Sequence, residues 1–236
     1  MRRAVIVFAI VAALDPGHAH GDGATLAPAE VDRLLDRLVT ATASVRDYVC
    51  TFTKEERVDG DLQPMDTILI KQRREPRCAY LNWIGGEDLG REAIYCPPKY
   101  GSDFKVHEGS GIKSWMTLTL DPKGKLAMSG ERHPISEAGI YFAVEEFERH
   151  LRADRERLRL ERGARPDCVV ATQIAPTGHY AYRTEICVDP ERSLPVSIEV
   201  RDAGGELLER YVYSDCRWNV GVGDRDFDVK NPDYRF

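Results

Sequence analysis

The sequence predicts an α+β fold that consists mainly of antiparallel β-strands, together with two amphipathic helices. Short apolar segments bounded by Gly, Pro, Asp or Glu occur along most of the chain, which is typical of strands joined by turns. Two other segments repeat apolar residues at helical spacing. Four of the six cysteines also fall opposite each other in two predicted hairpins.

The N-terminal residues 1–20 have the three-part layout of a secretory signal peptide. Two arginines precede an apolar run at residues 4–14, and a Pro-Gly pair follows ahead of the small residue Ala19. The run is too short for a membrane helix, which needs roughly twenty residues. We therefore expect cleavage near Ala19 or Gly21, a periplasmic or secreted protein without a transmembrane segment after cleavage, and a single domain over residues 21–236.

The first helix is predicted over residues 28–43. Pro28 suits the first turn of a helix, and apolar residues recur along one side of this segment. Six segments then read as an antiparallel meander, namely "DYVCTFTKEERV", "MDTILIKQRR", "CAYLNWI", "EAIYC", "DFKVHE" and "IKSWMTLTLD". The chain thus opens with a helix that is followed by strands.

The second helix is predicted after this meander, before the chain returns to strands. Its apolar stripe consists of Ile140, Val144, Phe147 and Leu151. The C-terminal strands are predicted in "DCVVATQIA", "HYAYRTEICVD", "LPVSIEVRD" and "ELLERYVYSDCRW". The whole order is helix, strands, helix, strands.

Cys78 and Cys96 flank the turn signal "GGED". A hairpin centred on Glu87 places these two cysteines directly opposite each other. Because an exported chain normally oxidises its cysteines, we expect a cross-strand disulfide here. A register slip of one residue would instead leave both as buried thiols.

Cys168 and Cys187 behave in the same way around "PTGH", if residues 177–178 form a two-residue turn. A second cross-strand disulfide is therefore expected, with the same alternative of a register slip. Cys50 and Cys216 remain, and they can pair only if the first and last strands meet. The sequence leaves that pairing open.

The stretch "SGERHPISEAGI" lies where strands give way to the second helix. Pro134 keeps His133 extended, and Ser136 can cap a helix that starts near Glu137. We interpret the stretch as a strand-to-helix joint in which Arg132 and His133 tie the helix to the sheet. Contact with a ligand head group and catalysis are the two alternatives.

The composition and motifs argue against several functional classes. A net charge of −6 does not suit nucleic acid, because phosphate contacts need a basic face. The sequence has no G-x-S-x-G, H-E-x-x-H, C-x-x-C or Gly-rich phosphate motif. Asp224, Asp226 and Asp228 resemble the start of a calcium loop, but Val229 and Arg235 occupy its sixth and twelfth positions, so we interpret them as a solvated turn. We expect no catalytic residue, no cofactor and no metal.

The segment "SVRDYVCTFTKEERVDGDLQPMDTILIKQRREPRCAYLNW" resembles the opening of the periplasmic lipoprotein carriers LolA and LolB. The shared features are a helix, a strand with an aromatic-Thr-polar triplet, a second strand ending in basic residues, and then a proline and a tryptophan. In this chain the triplet is residues 52–54, the proline is Pro76 and the tryptophan is Trp83. The C-terminal "GVGDRDFDVKNPDYRF" resembles their ending, with an Asp-rich turn, Phe227 and Pro232.

Four further stretches carry a closer resemblance, and they are "YVCTFTKEERV", "RHPISEAGI", "LPVSIEV" and "NPDYRF", in that order. They resemble a bacterial family of domains of unknown function, number 1571, which shares the LolA-like fold. The resemblance implies a half-open, incomplete β-barrel with two covering helices and an apolar concave face. In that group the cavity holds acyl chains of a lipid or lipoprotein. We therefore expect a non-enzymatic periplasmic binder of such a chain, acting as carrier, chaperone or sensor.

Strand alternation and the resemblance together predict the residues that bind the ligand. The expected lining is Phe52, Ile68, Ile70, Tyr80, Trp83, Ile94, Trp115, Met116 and Leu118, with Arg132 and His133 at the head group. Lys54, Lys71, Arg73 and Arg74 are expected either on a solvated rim or around the mouth of the cavity, where they would meet anionic head groups. One alternative function is an envelope protein–protein interaction module with a filled barrel, and another is a hydrolase that uses His133.

Overall fold

The structure of the protein is a computed structural model that describes residues 24–111 and 115–236. The predicted signal peptide lies outside the described residues. No helix within the described ranges is long and apolar enough to cross a membrane.

The described residues form one antiparallel sheet of twelve strands, accompanied by three α-helices. The strands are β1 (Asp47–Val58), β2 (Asp61–Leu62), β3 (Asp66–Arg73), β4 (Cys78–Gly85), β5 (Glu92–Tyr95), β6 (Phe104–His107), β7 (Thr117–Leu120), β8 (Leu158–Arg162), β9 (Cys168–Gln173), β10 (Arg183–Val188), β11 (Pro195–Arg201) and β12 (Leu207–Trp218). The helices are α1 (Pro28–Ser44), α2 (Pro97–Tyr100) and α3 (Ile140–Ala153). The predicted fold class is confirmed.

The sheet is open and curved. Its strands follow the order β7-β6-β5-β4-β3-β1-β12-β11-β10-β9-β8, and β2 pairs only with β1. Leu118 of β7 and Leu158 of β8 come from the two opposite edges of this sheet, yet both line the same cavity. The sheet must therefore curve around that cavity, as a half-open barrel does.

The two long helices pack on the concave side of β8–β11. Leu35 of α1 and Leu151 of α3 share an apolar cluster with Leu160 of β8. Leu38 of α1 and Val144 of α3 share a second cluster with residues of β10 and β11. The predicted apolar stripes of both helices thus face the sheet, and the helices cover part of its opening.

The C-terminal residues 219–236 pack on the convex face of the sheet. Phe227 is completely buried there, and the ring of Tyr234 stacks on Tyr80 at 4.0 Å between centroids. Lys71 donates a hydrogen bond of 2.8 Å to Asp226. The interpretation of the aspartates as a solvated turn holds for Asp224, whose side chain is 90% exposed. It does not hold for Asp226 and Asp228, which are partly buried and pair with Lys71 and Lys99.

The two predicted cross-strand disulfides are confirmed. Cys78 of β4 pairs with Cys96, which directly follows β5, and Cys168 pairs with Cys187 across β9 and β10. The predicted two-residue turn at 177–178 is wrong, because β9 ends at Gln173 and β10 begins only at Arg183. The two strands that this longer loop joins nevertheless pair in the predicted register, with Cys168 opposite Cys187.

A third disulfide joins Cys50 to Cys216. It forms because the first and last long strands are neighbours, with Thr51 opposite Ser214 and Phe52 opposite Tyr213. The described residues contain no free cysteine. All three bonds cross between strands that are adjacent in the sheet.

A cavity inside the half barrel

A cavity of about 660 Å³ lies between the concave face of the sheet and α3. Its size falls in the range of small-molecule binding sites, roughly 300–1,000 Å³. Strands from both halves of the sheet line it, together with α3 and the segment 121–139, which we call the crossover because it joins β7 to α3. Side chains therefore do not fill the concavity. The alternative of an interaction module had assumed a filled barrel, which this cavity contradicts.

One side of the cavity is predominantly apolar. Side chains from β4 to β7 form the wall, and the crossover and α3 add further apolar groups opposite them. The principal ones are Leu81, Trp83, Ala93, Phe104, Val106, Leu118, Leu120, Leu126, Ile135, Phe142 and Phe147. Such a surface can exclude water from a bound hydrocarbon chain.

The structure brings four of the predicted site residues to the cavity. Phe52, Trp83, Leu118 and His133 all line it. The first two lie on β1 and β4, whose inward residues alternate as the sequence pattern indicated. These four are the part of the predicted set whose position suits ligand contact.

Ile68 and Ile70 share the inner face with Phe52 but do not reach the cavity. Ile68 lies opposite Phe52, and Ile70 lies opposite Cys50. Both isoleucines are fully buried in the core cluster that contains Trp83. Neither isoleucine is among the residues that line the cavity, so their predicted place in the lining is wrong.

Tyr80 and Ile94 face the opposite side of the sheet. They pair with each other across β4 and β5, and they pack in the convex-face cluster with Phe227. Side chains alternate along a strand, so inward-facing Leu81 and Trp83 force Tyr80 outward. Their expected position in the cavity is therefore corrected to the outer core.

Trp115 and Met116 lie outside the cavity. Their exposed fractions are 73% and 39%, and β7 begins only after them, at Thr117. The predicted strand over residues 112–121 was too long at its start, and residues 112–114 lie outside the described ranges. Without a strand to direct them, these two side chains do not follow its alternation.

Arg132 does not line the cavity and instead holds the crossover to the sheet. Its backbone N–H donates to Glu56 at 2.8 Å, and its Nε donates to Glu209 at 2.6 Å. Glu56 lies on β1 and Glu209 on β12, and each is only 3% exposed. A second tie joins Lys54 of β1 to Glu131 of the crossover. The joint that the sequence predicted therefore exists, and its anchors are buried carboxylates.

His133 makes polar contacts through both ring nitrogens. Nε2 lies 3.1 Å from Glu209, and Nδ1 lies 3.4 Å from Glu137. Burial alone would lower the pKa of His133, but these carboxylates raise it above its ordinary value. Burial likewise would raise the pKa of Glu209, but His133, Tyr180 and Arg132 lower it. The charged forms of this pair stabilise each other.

The start of α3 differs from the prediction. Residues 135–137 form a single 3₁₀ turn, and α3 begins at Ile140 with Gly139 as its N-cap. The Ile140 N–H donates to the Tyr48 hydroxyl at 3.1 Å, which in turn donates to Gln72 at 2.6 Å. Side chains of β1 and β3 thus satisfy the helix terminus, so the predicted cap at residue 136 is wrong.

Three of the four basic residues expected on a solvated rim or around the mouth of the cavity lie elsewhere. Lys71 and Arg73 face the C-terminal segment on the convex side, where they pair with Asp226 and Asp224. Arg74 donates to the carbonyl of Thr42 at the end of α1. Lys54 alone of the four lines the cavity.

The sequence reasoning missed the polar residues that α3 and β12 present to the cavity. Glu146, His150 and Asp154 project from one side of α3 and its C-terminal end, and Glu209 and Tyr211 project from β12. The four-residue spacing of the three α3 positions was a usable signal. Their meeting with β12 depends on sheet curvature, which periodicity does not encode.

Solved structures that align with this chain include MucB and two further proteins. MucB aligns at 14% identity with a TM-score of 0.50, covering 85% of this chain and 63% of MucB, which has also been solved with MucA from Pseudomonas aeruginosa. The lipoprotein LppX of Mycobacterium tuberculosis aligns at 13% identity with a TM-score of 0.48, covering 84% of this chain and 99% of LppX. A LolA superfamily protein from Nitrosomonas europaea aligns at 10% identity with a TM-score of 0.35, covering 84% of this chain and 96% of that protein.

No curated protein sequence is significantly similar to this chain. The family model described as "Protein of unknown function (DUF1571)" matches residues 45–236. That range contains all twelve strands of the sheet and the whole of α3. The match confirms the resemblance found in the motifs, and the chain belongs to the DUF1571 family.

Proposed function

We propose that this protein is a non-enzymatic binder of the acyl chain of a lipid or lipoprotein. The observation that carries the proposal is the open cavity of about 660 Å³ with its apolar wall. Each buried methylene contributes about 0.8 kcal/mol, so a chain of about twelve would contribute on the order of 10 kcal/mol before entropy costs. A hydrocarbon chain is therefore the class of ligand that gains most from this wall.

We further propose that the protein works outside the cytoplasm, as a carrier, chaperone or sensor in the cell envelope. Three disulfides support this location, because such bonds persist in oxidising compartments. The layout of residues 1–20 as a signal peptide supports it independently.

The proposal is tested by mass spectrometry of organic extracts from the mature protein, purified without detergent from a bacterial periplasm. We expect a lipid in near-stoichiometric amount. An empty protein that also refuses an uncharged fluorescent hydrophobic probe would overturn the proposal.

Two neighbouring substitutions provide a matched control. Leu118→Asp places a carboxylate in the apolar wall and should lower the lipid content and the probe affinity by at least about tenfold. Met116→Asp changes an exposed residue outside the cavity and should leave both unchanged. Equal losses in the two variants would show that the cavity is not the binding site.

A second candidate function is a protein interaction module. Several exposed large apolar residues lie at one end of β1 to β7, in β2, near the end of β4 and in the adjoining loops, and they are Leu62, Met65, Ile84, Leu89, Trp115 and Met116. Contiguous exposed apolar side chains commonly mark interaction sites. This candidate predicts that Leu89→Ser with Trp115→Ser abolishes co-purification of a stoichiometric partner while the lipid content stays the same.

A further inference from the structure

The loop between β9 and β10, residues 174–182, faces the cavity on one side and solvent on the other. The loop residues that line the cavity are Thr177, His179, Tyr180 and Ala181. Tyr180 is nevertheless 48% exposed, and residues 174–176 and 178 are exposed as well. This β9–β10 loop is therefore a part of the wall in which a single segment separates the cavity from solvent.

One side chain of the loop reaches the crossover. The Arg132 guanidinium lies over the ring of Tyr180, 4.4 Å from its centroid, and the Tyr180 hydroxyl lies 3.3 Å from Nε2 of His133. Burial would raise the pKa of Glu209, but hydrogen bonds from His133 and Tyr180 lower it, so Tyr180 reaches this buried carboxylate too. We call these contacts the Tyr180 latch.

A weaker contact joins the same loop to α3. The rings of His179 and His150 have centroids 3.4 Å apart, and Nε2 of His179 lies 3.8 Å from the Asp154 carboxylate. That second distance exceeds the roughly 2.7–2.9 Å of a charge-assisted hydrogen bond. Both histidines are partly exposed. The α3 side of the loop is thus held mainly by contact between two rings.

The crossover is held far more firmly than the loop. The Arg132 N–H donates to Glu56 at 2.8 Å, and Nη1 of Arg132 donates to the Arg57 carbonyl at 2.9 Å. Glu56 and Glu209, its two carboxylate anchors, are each 3% exposed. A segment with exposed backbone and few buried contacts opens at a lower free energy than one anchored by buried groups. Of the two segments that meet at Tyr180, the loop is therefore the one that moves.

The other hydrogen bonds of the loop permit this movement. The side-chain amide of Gln173 donates to the carbonyls of His179 and Ala181, at 3.1 and 2.7 Å. Arg157, whose side chain is 57% exposed, donates to the Pro176 carbonyl at 3.1 Å. None of these bonds involves the crossover or α3. They can persist when the loop separates from both elements.

We infer that the β9–β10 loop is the gate of the cavity, and that an acyl chain enters and leaves when Tyr180 separates from the crossover. The inference rests on the proposed function, because it assigns the entrance to the same cavity. The latch sets the fraction of molecules in which the gate is open, and therefore the rates of both uptake and release.

Stopped-flow kinetics with an uncharged fluorescent hydrophobic probe test the gate. Tyr180→Ala removes the ring from Arg132 and the hydroxyl from His133, so association and release should each become about threefold faster or more. A side chain that merely touched the ligand would change release and leave association as it was. An unchanged association rate in Tyr180→Ala would overturn the inference.

Two further tyrosine variants control for general loosening of the loop. Tyr182→Ala changes a ring that is 38% exposed and lies outside the lining, and both rates should stay as in the wild type. Tyr180→Phe keeps the ring over Arg132 and loses only the hydroxyl, so its rates should be intermediate. Equal acceleration by Tyr182→Ala and Tyr180→Ala would overturn the role of the latch.

Hydrogen exchange without any ligand separates failure of the gate from failure of the proposed function. Amides of residues 174–182 should exchange faster than those of residues 131–137, and Tyr180→Ala should accelerate exchange in the loop alone. Faster exchange in residues 131–137 would overturn the inference, because the crossover would then be the segment that opens. If exchange is as expected and the wild type takes up no probe, the loop moves but the protein does not bind acyl chains.

Discussion

Apolar side chains alternate between the two faces of β1, β3 and β4, but the two faces are covered differently. On the inner face, Phe52 and Trp83 border the open cavity. On the outer face, Val49 and Tyr80 pack beneath Phe227 in a closed core. The chain therefore covers one apolar face with its own C-terminal segment and leaves space against the other.

The difference shows how a sheet can combine stability with a vacant site. A face that is filled contributes dispersion and burial energy at every contact. A face that borders empty space gives up part of that energy until something occupies it. The outer core around Phe227 can thus hold the curvature of the sheet while the inner face remains open for a ligand.

The largest expected contrast comes from truncating one side chain on each face. Phe227→Ala should lower the free energy of unfolding by about 3–5 kcal/mol, because Phe227 is fully buried and the site cannot refill. Leu118→Ala should cost about 1 kcal/mol, because Leu118 already borders the cavity. Guanidinium denaturation followed by circular dichroism measures both.

The matched readout for this pair is uptake of an uncharged hydrophobic probe. Phe227→Ala should retain the wild-type probe affinity at temperatures where the variant is folded, whereas Leu118→Ala should change it. Similar stability losses in the two variants would contradict the distinction between a closed outer face and an open inner one.

The second contrast concerns how α3 is fixed to the inner face. Gly139 has φ of 86°, and a Cβ there would lie 2.3 Å from Gln72 Oε1 and 2.4 Å from the Tyr48 hydroxyl. Gly139→Ala should therefore lower the free energy of unfolding by about 2–4 kcal/mol, since backbone strain adds to a buried clash. Thermal and chemical denaturation provide the measurement.

Gly130 provides the matched control for this substitution. Its φ of 78° is similar, but nothing lies within 4 Å of a Cβ at that position. Gly130→Ala should lower the free energy of unfolding by about 1 kcal/mol, because only the strain of the left-handed backbone conformation opposes it. If the two alanine variants were equally destabilised, the contact of Gly139 with Tyr48 and Gln72 would not be what fixes the helix start.

These contrasts also indicate which features the sequence could predict. Cys78 and Cys96 were placed correctly because register follows from local turn signals and a period of two. The stripe of α3 was found because helical periodicity survives in a single segment. The edge strand β8 was missed, since Leu158 and Leu160 alternate with charged residues that suit an exposed edge as well as a loop.

The cavity lining was harder to predict because alternation assigns residues to a common face without saying which face is concave. Tyr80 and Ile94 are as apolar as the inward residues beside them, and only the C-terminal segment determines that they belong to the outer core. Glu56 and Glu209 could not be paired with the crossover for a similar reason. Their partner Arg132 is about 75 residues away from each of them along the chain.

The smallest expected contrast is a difference in pH dependence between the two faces. On the outer face, burial would raise the pKa of Asp226, but Lys71 and the Gly223 N–H lower it. The stability contributed by the ion pair of Asp226 with Lys71 is therefore lost only as the pH falls through that lowered pKa. On the inner face, the pKa of His133 is raised. Its contribution is fully present below the ordinary histidine pKa of about 6.5 and is lost as the pH rises through the raised value.

The inner pair also weakens in acid, because the pKa of Glu209 is lowered and its contribution is lost as the pH falls through that value. As the pH rises above the ordinary histidine pKa of about 6.5, however, only the inner face should loosen, by about 1 kcal/mol, as is usual for a partly exposed pair. The measurement is the free energy of unfolding against pH for the wild type and for His133→Gln, which should lose this alkaline slope. Lys71→Met, the outer-face control, should keep the slope, and a slope that survived in His133→Gln would mean that other groups titrate with folding.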